Sequence, residues 1–322
     1  MITFLRINIP FTENWWIPHL AYTQWQNFTI LQLASFTGIF GIIFTILFSN
    51  ALLAYLWIKE KKHLVMVFIV SLVIIFSFGN AHFEKVSNAQ NQPFILIGIQ
   101  SSPENGFYAN ANKNDIQTLQ KLTQKALLEV ENKDKNIFVL WPENMIQEDH
   151  TKDLQNFAKE NNIYLVFNRE EKSEENPFNT VVMVDSNGKE VLKNYKTHAA
   201  PSEKIQIKKE VHNSIEIEAV KITSDICYDL HYSDISKRVQ NNDLLFTPVD
   251  DDRFGSFMPY LHARDIIFRA IENRVNIFTA STNGPTMFVD KYGVIKKGPL
   301  EIYDEGYLIV NKYGVFLSPI YS

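Results

Sequence analysis

The chain has 322 residues and a formal net charge of −5, long enough for one or two domains with a sizeable core. That balance, with no basic stripe, excludes nucleic acid as a partner. A single cysteine, Cys227, excludes an internal disulfide and the paired-cysteine zinc motifs.

Charge is spread unevenly. Trp15 to Ile58 holds no Asp, Glu, Lys or Arg. Within it, Phe28 to Ile58 is an apolar run longer than the roughly 20 residues that cross a bilayer. A second run, Leu64 to Phe78, falls about one turn short of that length. Between them lies Lys59-Glu60-Lys61-Lys62-His63, a short and mostly positive loop of the cytoplasmic kind. Residues 1–82 are therefore expected to form a membrane segment with helices at about 29–58 and 63–80. The N-terminus and everything after Asn80 then lie on the far side. Trp15, Trp16, Trp25 and Trp57 suit interface positions. A cleaved signal peptide does not fit, because the apolar run starts late and no basic region immediately precedes it. A soluble buried hairpin would be unusually long without charge. Polar, Asn-rich residues 83–92 read as a linker, and 93–322 as a second domain.

In that domain the pattern alternates. Phe94 to Gln100 is a β-branched apolar run, a buried strand. Asn112 to Val130 has Ile116, Leu119, Leu122, Leu127 and Val130 near helical spacing. Ile137 to Trp141 is a strand, Thr151 to Asn161 a short helix, and Ile163 to Asn168 a strand. Thr180 to Val184 and Lys189 to Tyr195 form a hairpin around Asp185-Ser186-Asn187-Gly188. Ile215 to Ile222 alternates as one strand, Asp243 to Pro248 is another, and Met258 to Asn273 is a helix. Val275 to Ser281 is a strand, and Thr286 to Val289 with Val294 to Lys297 is a hairpin turning at Lys291-Tyr292-Gly293. Strands alternating with helices, with hairpins inserted, indicate a layered α/β domain.

Working residues of such sheets gather past the strand ends. Glu143 follows one strand in LWPEN, Lys196 another in NYKTH, and Cys227 a third in SDICYD. Singly each has a plain structural explanation: a helix start, a solvated lysine, a packed thiol. Together they fit acyl transfer. A thiol attacks a carbonyl best as thiolate. A carboxylate in reach takes its proton, and an ammonium holds the developing oxyanion. This chemistry needs no cofactor and no metal.

The same residues resemble the nitrilase superfamily, whose Glu, Lys and Cys sit on an αββα sandwich, and within it the bacterial apolipoprotein N-acyltransferases. VLWPEN at Val139 to Asn144 is similar to that family's strand ending in WPE. Tyr195 to Glu203 (YKTHAAPSE) resembles its Y-x-K-x-H-L-V-P-F-G-E, and Ile226 to Asp229 its I-C-Y-E. Phe178-Asn179-Thr180, Pro259 to Arg264, Arg269 to Arg274 and Asn283-Gly284 resemble further stretches. Leu20 to Gln24 and Leu31 to Gly38 resemble the loop and helix ahead of its catalytic domain. The likeness runs from about residue 15 to the end.

The resemblance implies a nitrilase-type αββα sandwich preceded by two transmembrane helices. It implies Glu143 as base, Cys227 as nucleophile and Lys196 as oxyanion holder. Glu203, the Tyr228 amide and Asp229 are the implied supporting groups. It implies a phospholipid acyl donor and a diacylglyceryl-modified lipoprotein acceptor. The implied location is the bacterial inner membrane, with the catalytic domain on the periplasmic or outer side. Departures are also visible. Members of that family have about eight spans where two are evident here, Asp229 stands where Glu is usual, and the Lys196-to-Glu203 loop is one residue shorter. The alternatives are a membrane-tethered carbon–nitrogen hydrolase using the same three residues, and an inactive homologue that keeps the fold.

Overall fold

The computed structural model describes residues 19–88, 93–102, 113–131, 134–143, 146–201, 203–208, 212–252, 257–298 and 300–311. Trp15, Trp16, Asn144, Ser202 and residues 89–92 of the expected linker lie outside them.

The first apolar run is not one helix. A 3₁₀ turn at Leu20–Gln24 precedes it, and it opens with two single-turn helices, Phe28–Leu31 and Ala34–Thr37. Gly38 then takes φ 59° and ψ −162°, a region open almost only to glycine. Helix α1, Ile39–Ile58, starts after it. This corrects the expected helix at 29–58: the backbone breaks at Gly38, and only the latter part is continuous. Helix α2 spans Lys62–Asn88, longer than the expected 63–80, so the first part of the expected linker is helical. Its far end is held by the Ser87 hydroxyl, which donates to the buried Asp290 carboxylate. Both helices are long and apolar enough to cross a membrane, and most of their side chains face outward.

From Phe94 onward the chain builds two sheets. Among the described residues, one sheet has strands β1 (Ile95–Gln100), β2 (Ile137–Leu140), β3 (Ile146–Gln147), β4 (Tyr164–Glu171), β5 (Phe178–Val184), β6 (Glu190–Tyr195) and β13 (Gly306–Val310). The other has β7 (Ser214–Ile217), β8 (Val220–Ser224), β9 (Leu244–Asp250), β10 (Asn276–Thr282), β11 (Met287–Val289) and β12 (Ile295–Lys297). Their orders are β13-β1-β2-β4-β5-β6, with β3 beside β4, and β12-β11-β10-β9-β8-β7. In each, the central strands run parallel: β1, β2 and β4 in one, β8, β9 and β10 in the other.

The expected strand Ile215 to Ile222 is instead the hairpin β7–β8, registered Ser214 opposite Thr223. Its turn places Glu218 and Ala219 at φ 51° and 62°. The edge strand β13, antiparallel to β1, was not expected from the pattern.

Alternation along the strands sorts the core into layers. Ile95, Ile97 and Ile99 of β1 face helix α3 (Lys113–Leu128) and helix α4 (Thr151–Asn161) through Ile116, Leu119, Leu154 and Phe157. Leu96, Phe138, Phe246, Phe278 and Phe288 fill the space between the sheets. Each such buried side chain contributes roughly 1.5–3 kcal/mol relative to exposure. Helix α5 (Met258–Asn273) covers the outer face of the second sheet. The layers are therefore helix, sheet, sheet, helix, as expected. A further layer lies outside α5: Ala21, Tyr22, Ile30, Leu31, Ala34, Ile39 and Ile42 share one core with Leu261, Ile267, Phe268 and Ile271. The approach to the membrane-like helices is thus packed against the sandwich.

Candidate active site

Glu143 stands just past β2. The strand end is fixed by Trp141, fully buried, whose indole N–H donates to Thr123 Oγ1 on α3 at 3.0 Å. The Glu143 amide donates across to Val249 O of β9 at 3.3 Å, tying the two sheets together here. Lys196 follows β6, its amide donating to Asn179 O at 2.8 Å. Cys227 follows β8 and begins the 3₁₀ turn Cys227–His231 with φ 41°. A left-handed backbone is uncommon for a residue with a side chain, and such conformations cluster at functional sites.

These residues, far apart in sequence, converge. The Lys196 ammonium donates to Glu143 Oε1 at 2.8 Å and lies 2.7 Å from Glu203 Oε2. Glu143 and Lys196 both act electrostatically on the Cys227 thiol, in opposite directions. Its Sγ also lies 3.9 Å from the Asp250 carbonyl oxygen. Glu143, Lys196 and Cys227 are all buried.

Asn179, in β5, completes the frame. Its amide donates to Glu143 Oε1 at 2.8 Å and to Glu203 Oε1 at 2.9 Å. The FNT stretch pointed to this position, but a mid-strand Asn carries no signature of its role. Glu203 Oε2 in turn accepts the Ala200 amide at 3.0 Å, closing the loop that follows Lys196.

Asp229 is fully buried and accepts from the Thr197 amide at 3.1 Å, the Thr197 hydroxyl at 2.8 Å and the His198 amide at 2.8 Å. It therefore ties the Cys227 turn to the residues following Lys196. The shorter carboxylate reaches its partners directly from this turn. Tyr228 lies beside Cys227, its ring stacked on His231 at 5.4 Å.

Burial sets the electrostatics. It pushes the Cys227 thiol well above its ordinary range, reinforced by the Glu143 charge and opposed by Lys196. Glu143 is also raised, by burial first, against the pull of Lys196. Burial works to lower Lys196, but Glu143 and Glu203 outweigh it and hold the ammonium well above the usual lysine range. The Asp250 carboxyl, near Glu143, is pushed up to about 8 by burial and that neighbouring charge. The resting site is then a thiol whose proton is held tightly, beside a glutamate and a lysine 2.8 Å apart.

Two packed sheets flanked by helices, with this cluster at their strand ends, define the nitrilase-superfamily fold. The family model described as carbon-nitrogen hydrolase matches residues 92–311, and the chain belongs to that family. Solved structures share the fold. Nit3 of Saccharomyces cerevisiae, a member of branch 10 of the nitrilase superfamily, is 19% identical with a TM-score of 0.54, covering 67% of this chain and 89% of its own. An amidase from Nesterenkonia sp. is 14% identical with a TM-score of 0.53, covering 68% and 90%. Two curated relatives, both named apolipoprotein N-acyltransferase, are 24% identical. That of Wigglesworthia glossinidia brevipalpis aligns over 86% of this chain and 61% of its own length. That of Borreliella burgdorferi aligns over 96% and 66%. The chain thus spans somewhat under two thirds of the length of these relatives.

Proposed function

We propose that the protein is a membrane-bound N-acyltransferase that moves a fatty acyl chain from a phospholipid to the N-terminal amine of a diacylglyceryl-modified lipoprotein, through a thioester on Cys227. The observation that carries this reading is the meeting of Glu143, Lys196 and Cys227 in one buried cluster, on a sandwich to which two outward-facing apolar helices are attached.

Glu143 takes the thiol proton as Sγ attacks the ester carbonyl. Its raised pKa makes it a better base toward the thiol, whose own pKa is raised as well. The oxyanion forms beside the Lys196 ammonium, two of whose three donors are engaged by Glu143 and Glu203. The Tyr228 amide is the second donor. One such donor is typically worth about 3–4 kcal/mol in the transition state. The tetrahedral species collapses, the lysophospholipid oxygen takes the proton from Glu143, and the thioester remains. The acceptor amine then attacks, Glu143 takes its proton, and the departing sulfur recovers that proton as the amide forms.

Glu203 holds the ammonium toward Cys227, and Asp229 holds the loop that carries it. The mostly positive Lys59-to-His63 loop, read as cytoplasmic, supports a sandwich on the periplasmic or outer side of a bacterial inner membrane.

Complementation of a strain depleted of its own N-acyltransferase tests the reading. Mass spectrometry of lipoprotein N-termini is expected to find the amine acylated. Free amines, together with fatty acid released by the purified chain, would favour hydrolysis of an acyl bond by water at the same three residues.

A further inference from the structure

The Cys227 turn carries a backbone conformation that needs support from outside itself. With φ 41°, the residue is held in a left-handed state that costs of order 1–3 kcal/mol. The support comes from α5. His262 Nε2 lies 3.2 Å from the Cys227 carbonyl oxygen, and its Nδ1 lies 3.0 Å from Asp251 Oδ1. Both residues are buried, with His262 5% and Asp251 3% exposed. Asp251 is fixed in turn: Oδ2 accepts the Ser281 hydroxyl at 3.2 Å, and its amide donates to Thr282 O at 3.1 Å. Gly284 makes room, since a Cβ there would stand 2.1 Å from Asp251 Oδ2.

The pairing fixes the proton count. A carbonyl oxygen only accepts, so Nε2 carries a hydrogen. Nδ1 faces a carboxylate that already accepts Ser281, which favours a donated hydrogen there too. We infer that His262 is an imidazolium clamped by Asp251 behind Cys227, a positioning residue that both fixes the nucleophile's turn and adds a positive charge at its backbone carbonyl. Burial opposes that charge, while Asp251, beyond β9, and Glu143, beyond β2, sustain it above the ordinary imidazole range. The Cys227 turn contributes its carbonyl to the same end. Lys196 and His262 then act on the nucleophile together, one from its side chain's partners and one from its backbone.

The inference rests on Cys227 being the nucleophile, but its test needs no acyl donor. Cys227 is the chain's one thiol, so the rate of iodoacetamide capture by the detergent-solubilised full chain, followed against pH, reports it directly. In His262→Gln, which keeps a neutral donor but no charge, capture near neutral pH is expected to slow about tenfold, the effect of a thiol pKa higher by about one. The midpoint of the profile moves to higher pH. His262→Asn, a smaller neutral donor, moves it in the same direction and decides the matter if the first variant does not fold. A purely structural role would lower the yield of folded chain and leave the midpoint in place. A folded variant with the wild-type midpoint overturns the inference. If the thiol depends on His262 while phospholipid never labels it, the proposed substrate fails and this inference stands.

Discussion

Glu143 is asked to do two things, to neutralise Lys196 and to receive a proton from Cys227, and the Asn179 amide holds it in place for both. Glu143→Gln keeps the shape and removes the base. Thioester formation is expected to fall by roughly 10²–10⁴-fold with the fold retained, read by single-turnover acylation. A variant acylating at the normal rate places the base elsewhere. The pH dependence follows from the same raised group. Glu143 must be ionised to act, and burial raises its pKa, so the acid limb of the acylation profile is expected above the range of a free glutamate. Lys196 is raised too, so its charge persists into alkaline solution. Asp229 works on stability. Burial opposes its charge, but His198 and Arg238 hold its pKa below the ordinary value. Its contribution is therefore present above the unfolded pKa and lost as pH falls through the folded one. Asp229→Asn leaves these partners facing a neutral amide and is expected to cost about 3–5 kcal/mol in chemical denaturation. Glu143 and Lys196 were legible as candidates because each follows a readable strand, whereas Cys227 follows β8, the second half of a hairpin read as one strand. Asn179 and the Asp251–His262 pair were not, because an Asn inside a strand and a His inside a helix announce no partner.

Among the elements, the strands that periodicity could find are those with apolar runs or glycine turns. Gly188 and Gly293 turn their hairpins at φ 81° and 83°, and both turns fell where the sequence put them. The β7–β8 turn was missed because Glu218 and Ala219 adopt the left-handed backbone that Gly or Asn usually marks. The first apolar run reads as one helix because its interruption rests on one backbone dihedral at Gly38, which hydropathy does not register. Gly38→Ala is expected to strain that junction by about 1–3 kcal/mol and lower the thermal midpoint of the solubilised chain. No change would mean that the junction tolerates a side chain.

The whole molecule is held as one piece by contacts that composition cannot reveal. The Arg274 guanidinium donates to Gln32 Oε1 at 2.5 Å and to Ser35 Oγ at 2.9 Å, and the Tyr22 hydroxyl donates to Asp265 on α5. Asn80 of α2 accepts the Thr29 amide at 2.9 Å. The apolar helices are thereby tied to the helix that carries His262, and their position relative to the site is set by this packing. Arg274→Ala is expected to loosen this docking and increase protease cleavage between residues 20 and 38, without loss of the sandwich. The layered fold was legible because both sheets alternate with amphipathic helices. The docking was not, because its polar contacts join residues more than two hundred positions apart.

If Cys227 is the nucleophile, phospholipid must leave its acyl chain on the buried thiol. Membranes carrying the chain are incubated with an alkyne-tagged phospholipid, and the label is mapped by mass spectrometry. Hydroxylamine-labile acyl label is expected on Cys227 and is expected to be absent from Cys227→Ala. Label that persists in that variant, or that maps to another residue, contradicts that assignment.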